Sequence, residues 1–193
     1  MKRRTFLKDS AYISAGFVGL HKMIHSSAHA QGYQSEVEKY GKLVKDPKRI
    51  IDLPEGFTYR VLSVTGDSMN DGLRTPGAPD GMAAFQGDGG RVVLVRNHEL
   101  SDDQTFESPF GITNQLFEKV DRHKLYDAGK GERPQLGGTT NLVYNPETGE
   151  VESQFLSLAG TTRNCAGGPT PWNTWITCEE TVIQPPSSKK LKN

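Results

Sequence analysis

The chain has 193 residues, with 23 Lys and Arg against 23 Asp and Glu, 34% hydrophobic residues, 21 Gly and 11 Pro. Five of the basic side chains but only one acidic side chain lie in residues 1–30, so the remainder carries 18 basic and 22 acidic side chains, a net charge of −4. A mildly acidic chain without a basic stripe argues against a nucleic-acid partner. Beyond residue 30 the histidines are His98 and His123, which are too few for a histidine-rich zinc site.

Residues 1–30 have the pattern of a cleavable export signal. "MKRRTFLK" supplies a basic start, "AYISAGFVGL" a short apolar stretch, and "AHA" a small-residue cleavage site that ends at Ala30. Arg3 and Arg4, followed by "TFLK", resemble the signal that the twin-arginine export machinery recognises; the alternative is a general secretory signal with a chance arginine pair. Because the apolar stretch is far shorter than the roughly 20 residues that span a bilayer, no lasting membrane anchor is expected. The signal predicts a periplasmic or secreted protein.

After the signal, the patterns favour strands and no stretch favours a helix. "FTYRVLSV" at 57–64 and "RVVLVRNHE" at 91–99 predict two strands, and the acid-rich stretch 102–134 predicts a long excursion. Residues 137–160 predict a hairpin with the turn "NPETGE", and "NTWITCEE" at 173–180 predicts another short strand. Short strands with Gly-rich turns are typical of an all-β sandwich, barrel or propeller, and the pattern alone does not choose among them.

Reactive side chains are concentrated in "TTRNCAGGPTPWNTWITCEE", which holds both cysteines and both tryptophans and ends on Glu179 and Glu180. In an exported chain, one interpretation is a disulfide between Cys165 and Cys178. The other is a metal site, because the glycine pair after Cys165 lets backbone approach a ligand closely, and a thiolate with carboxylates suits iron while calcium takes oxygens only. Successive strand side chains face opposite sides, so at most one of the two glutamates faces a given pocket directly.

A longer set of motifs resembles a known family. "LAGTTRNCAGGPTPWNTWITCEE", with "PGAPDGMAAF", "VVLVRNHEL" and "GGTTNLVYNPETG", is similar to the PhoX family of twin-arginine-exported alkaline phosphatases, from the signal to Thr181. The resemblance implies an all-β fold for residues 31–182, a partial β-propeller of short antiparallel strands preceded by the signal peptide. It also implies a metal-dependent phosphomonoesterase that hydrolyses small-molecule phosphate esters at an iron and calcium cluster.

The resemblance also implies roles for residues in the quoted motifs. Cys165 would be the thiolate ligand of iron, and Glu179 and Glu180 would be metal ligands or lie next to ligands. Three further oxygen donors are implied to bind metal or to position a phosphate: Asn97, Glu99 and Asn164.

Two side chains are the candidates for catalysis, Arg163 and His98. Arg163, like Arg96, would hold phosphate oxygens, or would instead pair with a surface acid. His98 would act at the phosphate, or would be a hydrogen-bonded histidine at a strand end. If Cys165 binds metal, Cys178 is expected to pack as a small apolar side chain.

The sequence departs from the family at its end. Members of the family continue through further blades that supply more carboxylate ligands, whereas residues 183–193 predict a disordered tail at a truncation. At about 40 to 50 residues per blade, the chain offers two or three blades. We therefore expect a truncated form that is inactive alone and tends to aggregate. The alternative function is a non-catalytic propeller fragment that binds calcium or a partner chain.

Overall fold

The computed structural model describes residues 39–129 and 134–182. The predicted signal at 1–30 and the predicted tail at 183–193 lie outside the described residues. Within the described ranges the chain forms antiparallel strands and short 3-10 turns, without an α-helix, which confirms the all-β prediction there. No helix in this part of the chain is both long and apolar enough to cross a bilayer. The chain divides into two units at residues 60 and 61, and each is described separately.

The first unit is a small antiparallel pair organised by one carboxylate. Strands β1 (Leu43–Val44) and β2 (Leu53–Pro54) pair with each other. Between them, Asp46 accepts hydrogen bonds from the backbone N–H of Ile50 at 2.9 Å and from Tyr59 Oη at 2.6 Å. These bonds, with that of Tyr59 the largest, lower the pKa of Asp46 to about 2. A single acidic side chain therefore fixes the turn between the two short strands.

The predicted strand at 57–64 is wrong, because these residues form no strand in the structure. Its large side chains are not buried on a sheet: Phe57 is 52% exposed, Val61 is 48% exposed and Val64 is 50% exposed. A β-branched and aromatic run favours a strand only where a neighbouring strand gives its side chains a surface to pack on.

The second unit contains a four-stranded antiparallel sheet whose strands follow each other in chain order. Its strands are β3 (Pro79–Gln86), β4 (Val92–His98), β5 (Gly137–Asn145) and β6 (Glu150–Thr161). Strand β4 confirms the prediction at 91–99, and β5 with β6 confirms the predicted hairpin. Strand β3 was not predicted.

The turn between β5 and β6 forms as its sequence predicts. Gly149 has φ of 72°, a left-handed conformation that glycine adopts without a steric penalty, and its N–H donates to the carbonyl of Asn145 at 2.8 Å. The Asn145 side chain accepts from the N–H of Glu147 at 3.0 Å and donates to Glu152 at 2.8 Å. One asparagine thus satisfies backbone groups on the inside of the turn.

The free edge of β6 is protected by the segment that precedes β3. Asn70 Oδ1 accepts from the N–H of Gln154 at 2.7 Å, and Asp71 Oδ2 accepts from the N–H of Leu156 at 2.7 Å. Side-chain oxygens therefore take the place of a fifth strand and prevent these edge groups from pairing with another chain.

The hydrophobic core is formed by side chains of β6, of the connection from β4 to β5, and of the segment 69–73 that precedes β3. The predicted excursion is more than a surface loop, because its described part contributes core side chains and includes the 3-10 turns Thr105–Glu107, Phe117–Lys119 and Arg122–Lys124. Phe110 and Phe117 pack edge to face with ring centroids 5.1 Å apart. The buried core comprises Met69, Leu73, Leu100, Phe110, Val120, Leu136, Leu156 and Ala159.

A separate hairpin packs on one end of this sheet. Its strands are β7 (Asn164–Pro169) and β8 (Trp175–Glu179), and β8 confirms the strand predicted at 173–180. Strand β7 was not predicted. The hairpin contacts β3 and β4, and these two strands position the candidate site described next.

Candidate functional site

The candidate site is built on a bulge in β7. Asn164 pairs with Glu179, but the next paired residue of β7 is Gly167, so the register shifts across Cys165 and Ala166. A bulge of this kind bends the strand and leaves residues outside the regular ladder. The thiol of Cys165 lies in this bulge and is partly exposed.

Asn97 holds the bulge from β4. It is completely buried, and its Nδ2 donates to the carbonyls of Cys165 and Ala166, each at 3.0 Å. Its Oδ1 accepts from Trp175 Nε1 at 2.9 Å. The amide therefore uses both donors and its oxygen within the protein. The metal-ligand role of Asn97 stays a prediction. The observed contacts show that its amide connects β4 to both strands of the hairpin.

Asn164 is likewise buried and hydrogen-bonded at both ends of its amide. Its Oδ1 accepts from Thr161 Oγ1 at 2.6 Å, and its Nδ2 donates to Thr177 Oγ1 at 2.9 Å. The side chain is fully buried and connects the start of β7 to β8. Its predicted role as a metal ligand is not tested by these contacts, which place it inside the hairpin.

Arg163 lies just before the hairpin and connects two acids. It has φ of 52°, and its Nη2 donates to Glu99 Oε1 at 2.9 Å and lies 3.5 Å from Glu180 Oε2. The hydrogen bond to Glu99 raises the pKa of Arg163, and the negative charges of Glu99 and Glu180 raise it further. Pairing with an acid, one of the two alternatives for Arg163, is thus observed, in the neighbourhood of the thiol.

The two glutamates of "CEE" have different partners. Glu179 Oε1 accepts from the backbone N–H of Thr162 at 2.7 Å, whereas Glu180 is paired with Arg163. Both are exposed, so both carboxylates are accessible from solvent. Each could supply an oxygen to a metal ion, although Glu179 would have to share or release one of its oxygens.

His98 faces away from the thiol. Adjacent side chains of a strand point to opposite sides, and Asn97 faces the bulge, so His98 lies on the other face of β4. Its Nδ1 is 2.8 Å from the carbonyl of Gly77 and its Nε2 is 2.8 Å from Thr140 Oγ1. Burial lowers the pKa of His98 to about 4. These contacts favour the alternative of a hydrogen-bonded histidine at a strand end, and a catalytic role stays a prediction.

Arg96 shares that face of β4 and is also distant from the hairpin network. Its Nη2 donates to Ser63 Oγ at 3.1 Å, and burial lowers the pKa of its guanidinium. The structure therefore groups Arg163, but not Arg96, with the thiol.

The two cysteines are free thiols, and no disulfide joins them in the structure. Cys165 Sγ lies 4.0 Å from the backbone carbonyl of Cys178. Cys178 is exposed, so the expectation that it packs as a small apolar side chain is wrong. It lies near the end of a hairpin whose outer face has no covering element within the described residues.

The donor set is incomplete as a metal site within residues 39–129 and 134–182. No group of three or more His, Cys, Asp or Glu side chains in these ranges converges to hold an ion. Iron and calcium need several donors at short and defined distances, so the described residues do not by themselves fit an iron and calcium cluster.

An open groove of about 450 Å³ lies elsewhere, between the four-stranded sheet and β8. Its described lining is uncharged and includes Phe85, Thr139, Asn141, Trp175 and Thr177. A groove without charged side chains suits neither a metal ion nor a phosphate, so the candidate site remains at the bulge.

Two residues important to the site were missed by the sequence reasoning. Gly81 lies in the quoted motif "PGAPDGMAAF", and a Cβ there would be 2.6 Å from the carbonyl of Cys165. The second residue is Trp175, whose Nε1 donates a hydrogen bond to Asn97 Oδ1. An Asp-Gly pair before an apolar run was the available signal for a close backbone approach.

Comparison with known proteins identifies the family. The family model described as "Alkaline phosphatase PhoX" matches residues 38–192. No curated protein and no solved structure matches the chain. The matched range includes β3 to β8 and every residue of the candidate site, and it covers most of the chain. The chain belongs to the PhoX family of alkaline phosphatases.

Proposed function

We propose that the bulge and the acids around it are part of the active site of a metal-dependent phosphomonoesterase that hydrolyses small-molecule phosphate esters. One observation carries the proposal. Cys165, which is partly exposed, follows Arg163 by two residues, and the Arg163 guanidinium contacts Glu99 and Glu180. A thiolate is a ligand that iron accepts and carboxylates are ligands that calcium accepts, so these side chains would be part of a ligand set that needs further donors, and an arginine suits phosphate oxygens.

The fold of the second unit supports a propeller. A propeller blade is a four-stranded antiparallel sheet, and β3 to β6 form such a sheet in chain order. We propose that β3 to β6 form one blade and that β7 with β8 begin the next one. The bulge of β7 would then lie at the contact between two blades, a common place for a site built from several repeats.

The described donors require additional ones. Because no three of them converge within residues 39–129 and 134–182, we propose that these residues alone hold metal weakly and support negligible turnover. The chemistry that bound metal would supply at such a site is neutralisation of phosphoryl charge. The described side chains would supply a thiolate from Cys165 and carboxylate oxygens from Glu179 and Glu180.

Arg163 is the residue that we propose to bind the substrate. Its side chain is 44% exposed, and those of its partners Glu99 and Glu180 are 26% and 66% exposed. Ion pairs of this exposure contribute little because solvent screens them. The guanidinium can therefore exchange a carboxylate for a phosphate oxygen at little cost, and its planar fork favours two hydrogen bonds to one phosphate.

We also propose that the protein acts after export. The family match supports an alkaline phosphatase, and the basic start with Arg3 and Arg4 supports the twin-arginine route to the periplasm or the medium. That route exports folded proteins, which would let the metal centre assemble before export.

The test compares metal and phosphate binding by the purified chain and its variants. We expect iron to bind weakly to the unchanged chain and to Cys178→Ala, and not to bind to Cys165→Ala, as measured by equilibrium dialysis with elemental analysis. Inorganic phosphate should bind less tightly to Arg163→Gln by about tenfold. Absence of both iron and phosphate binding in the folded, unchanged chain would refute the proposed function. A Cys165–Cys178 disulfide in the unreduced protein would refute the thiolate role.

The alternative is a non-catalytic fragment that binds calcium or a partner chain. The lack of converging metal donors in the described residues favours the non-catalytic part of this alternative. Calcium binding without iron, and without any effect of Cys165→Ala, would support this alternative. Calcium-dependent hydrolysis of p-nitrophenyl phosphate by the purified chain would exclude it and would show that the donors present suffice.

A further inference from the structure

The carbonyls of Cys165 and Ala166 are satisfied by a side chain. The register of β7 and β8 shifts between Asn164 and Gly167, so these carbonyls lie outside the regular ladder. Both accept hydrogen bonds from Asn97 Nδ2 at 3.0 Å. These two hydrogen bonds tie the backbone of the bulge to β4, so the position of the bulge depends on a donor at this place.

The other end of the same amide is also engaged. Asn97 Oδ1 accepts from Trp175 Nε1 at 2.9 Å, so one side chain of β4 holds both strands of the hairpin. Asparagine is the side chain that fits, because it offers two donors on one atom and an acceptor on the other. Aspartate keeps the acceptor for Trp175 but offers no donor to the carbonyls. Leucine offers neither.

The bulge is confined from a second side by β3. A Cβ at Gly81 would lie 2.6 Å from the carbonyl oxygen of Cys165 and 3.3 Å from Asn97 Nδ2. Real side chains essentially never approach backbone as closely as the first distance. The backbone of Cys165 therefore lies between Asn97 and a position that admits only hydrogen.

We propose that Asn97 is a positioning residue for the thiol of Cys165. Its amide fixes the bulge through both carbonyls and Trp175, and Gly81 leaves the room that the bulge requires. The thiol is thereby held at the surface beside Arg163 instead of turning with a mobile loop. The inference rests on the proposed function only for the use of that thiol as a metal ligand. It assigns Asn97 a task that differs from direct metal binding.

The test measures how fast iodoacetamide alkylates Cys165 relative to Cys178 in the same molecule, read by mass spectrometry of the two peptides. Asn97→Asp removes the donors to the bulge and keeps the acceptor for Trp175. We expect the ratio to change by about tenfold, because two hydrogen bonds to a buried group are worth at least that factor in local opening. Asn145→Asp is the matched control, since it makes the same change at another buried strand end, and it should leave the ratio within about twofold.

A second variant tests the same carbonyl without altering Asn97. Gly81→Ala places a methyl group against the carbonyl of Cys165 and should change the ratio in the same direction. An unchanged ratio in folded Asn97→Asp or in folded Gly81→Ala would overturn the proposal. If both variants fail to fold while Asn145→Asp folds, the proposal is also overturned, because a contact that positions one hairpin should leave the four-stranded sheet intact.

The thiol ratio separates this proposal from the proposed function. It is measured without metal and without phosphate ester. Loss of iron and phosphate binding in the unchanged chain would refute the function and leave the positioning role of Asn97 standing. An unaltered ratio would refute the positioning role even if Cys165 proves to bind iron.

Discussion

The buried imidazole of His98 should make the stability of the fold depend on pH. Its Nδ1 faces the carbonyl of Gly77 at 2.8 Å, and a carbonyl only accepts, so Nδ1 carries the proton. Nε2 must then accept from the hydroxyl of Thr140 at 2.8 Å. Neutral imidazole therefore satisfies both contacts. Charging the ring would require a buried cation beside Arg96.

Burial is the main cause that lowers the pKa of His98 from 6.5 to about 4, and the charge of Arg96 lowers it further. The hydrogen bond to Gly77 acts in the opposite direction and does not compensate. An unfolded chain takes up the proton near pH 6.5, whereas the folded chain takes it up near pH 4. Between these values, protonation favours the unfolded state.

The sign and size of the effect follow from linkage. The contribution of His98 is present in full above pH 6.5, falls as the pH drops towards about 4, and is constant below. At about 1.4 kcal/mol per pKa unit, the difference amounts to about 3 kcal/mol in the free energy of unfolding. This is a large part of the roughly 5–15 kcal/mol that stabilises a typical domain.

Urea unfolding between about pH 8 and pH 4 tests this prediction. The carboxylates contribute to the pH dependence of every variant, so the informative quantity is the difference between the unchanged protein and His98→Gln. We expect the free energy of unfolding of His98→Gln to vary less with pH. His123→Gln, which changes an exposed imidazole, is the control and should follow the unchanged protein. Parallel curves for the unchanged protein and His98→Gln would refute the buried neutral assignment.

Three other predictions address the core, the first unit and export. Leu156→Ala empties a core position that is 2% exposed and should lower the free energy of unfolding by about 2–5 kcal/mol in urea titrations. Tyr59→Phe removes the largest cause of the lowered pKa of Asp46, so that pKa should rise from about 2 in a carboxyl NMR titration. Changing Arg3 and Arg4 together to Lys should leave an uncleaved precursor in the cytoplasm, and unchanged periplasmic yield on fractionation would contradict the twin-arginine assignment.

Strands with local signals were predictable from the sequence, and strands formed by distant contacts were not. Strand β4 and the β5–β6 hairpin combine β-branched residues with turn residues at the right places. Strands β3, "PDGMAAFQ", and β7, "NCAGGP", have few β-branched residues. They form by pairing with β4 and β8 respectively, and glycine at position 81 lets β3 lie close to the backbone of Cys165. The strand predicted at 57–64 does not form, since this stretch has the composition of a strand but pairs with no neighbouring strand.

The contacts of the candidate site likewise include some that are local in sequence and some that join distant residues. Cys165, Glu179 and Glu180 are close in sequence, so a hairpin was enough to bring them near each other. The contact between Arg163 and Glu99 joins residues 64 positions apart, and no spacing rule predicts it. One available rule would have helped: alternation along β4 places Asn97 and His98 on opposite faces. The two residues could therefore not both face the same ligand.

The site separates the groups that set its geometry from the groups that set its chemistry. Asn97 and Asn164 are fully buried, and a buried amide that loses its partner costs about 1–3 kcal/mol, so their contacts hold the backbone in one arrangement. Arg163, Glu99 and Glu180 are partly exposed, and solvent screening keeps their ion pairs weak. Substituting a buried amide should therefore alter stability and thiol position together. Substituting an exposed acid should alter ligand binding while the fold remains intact.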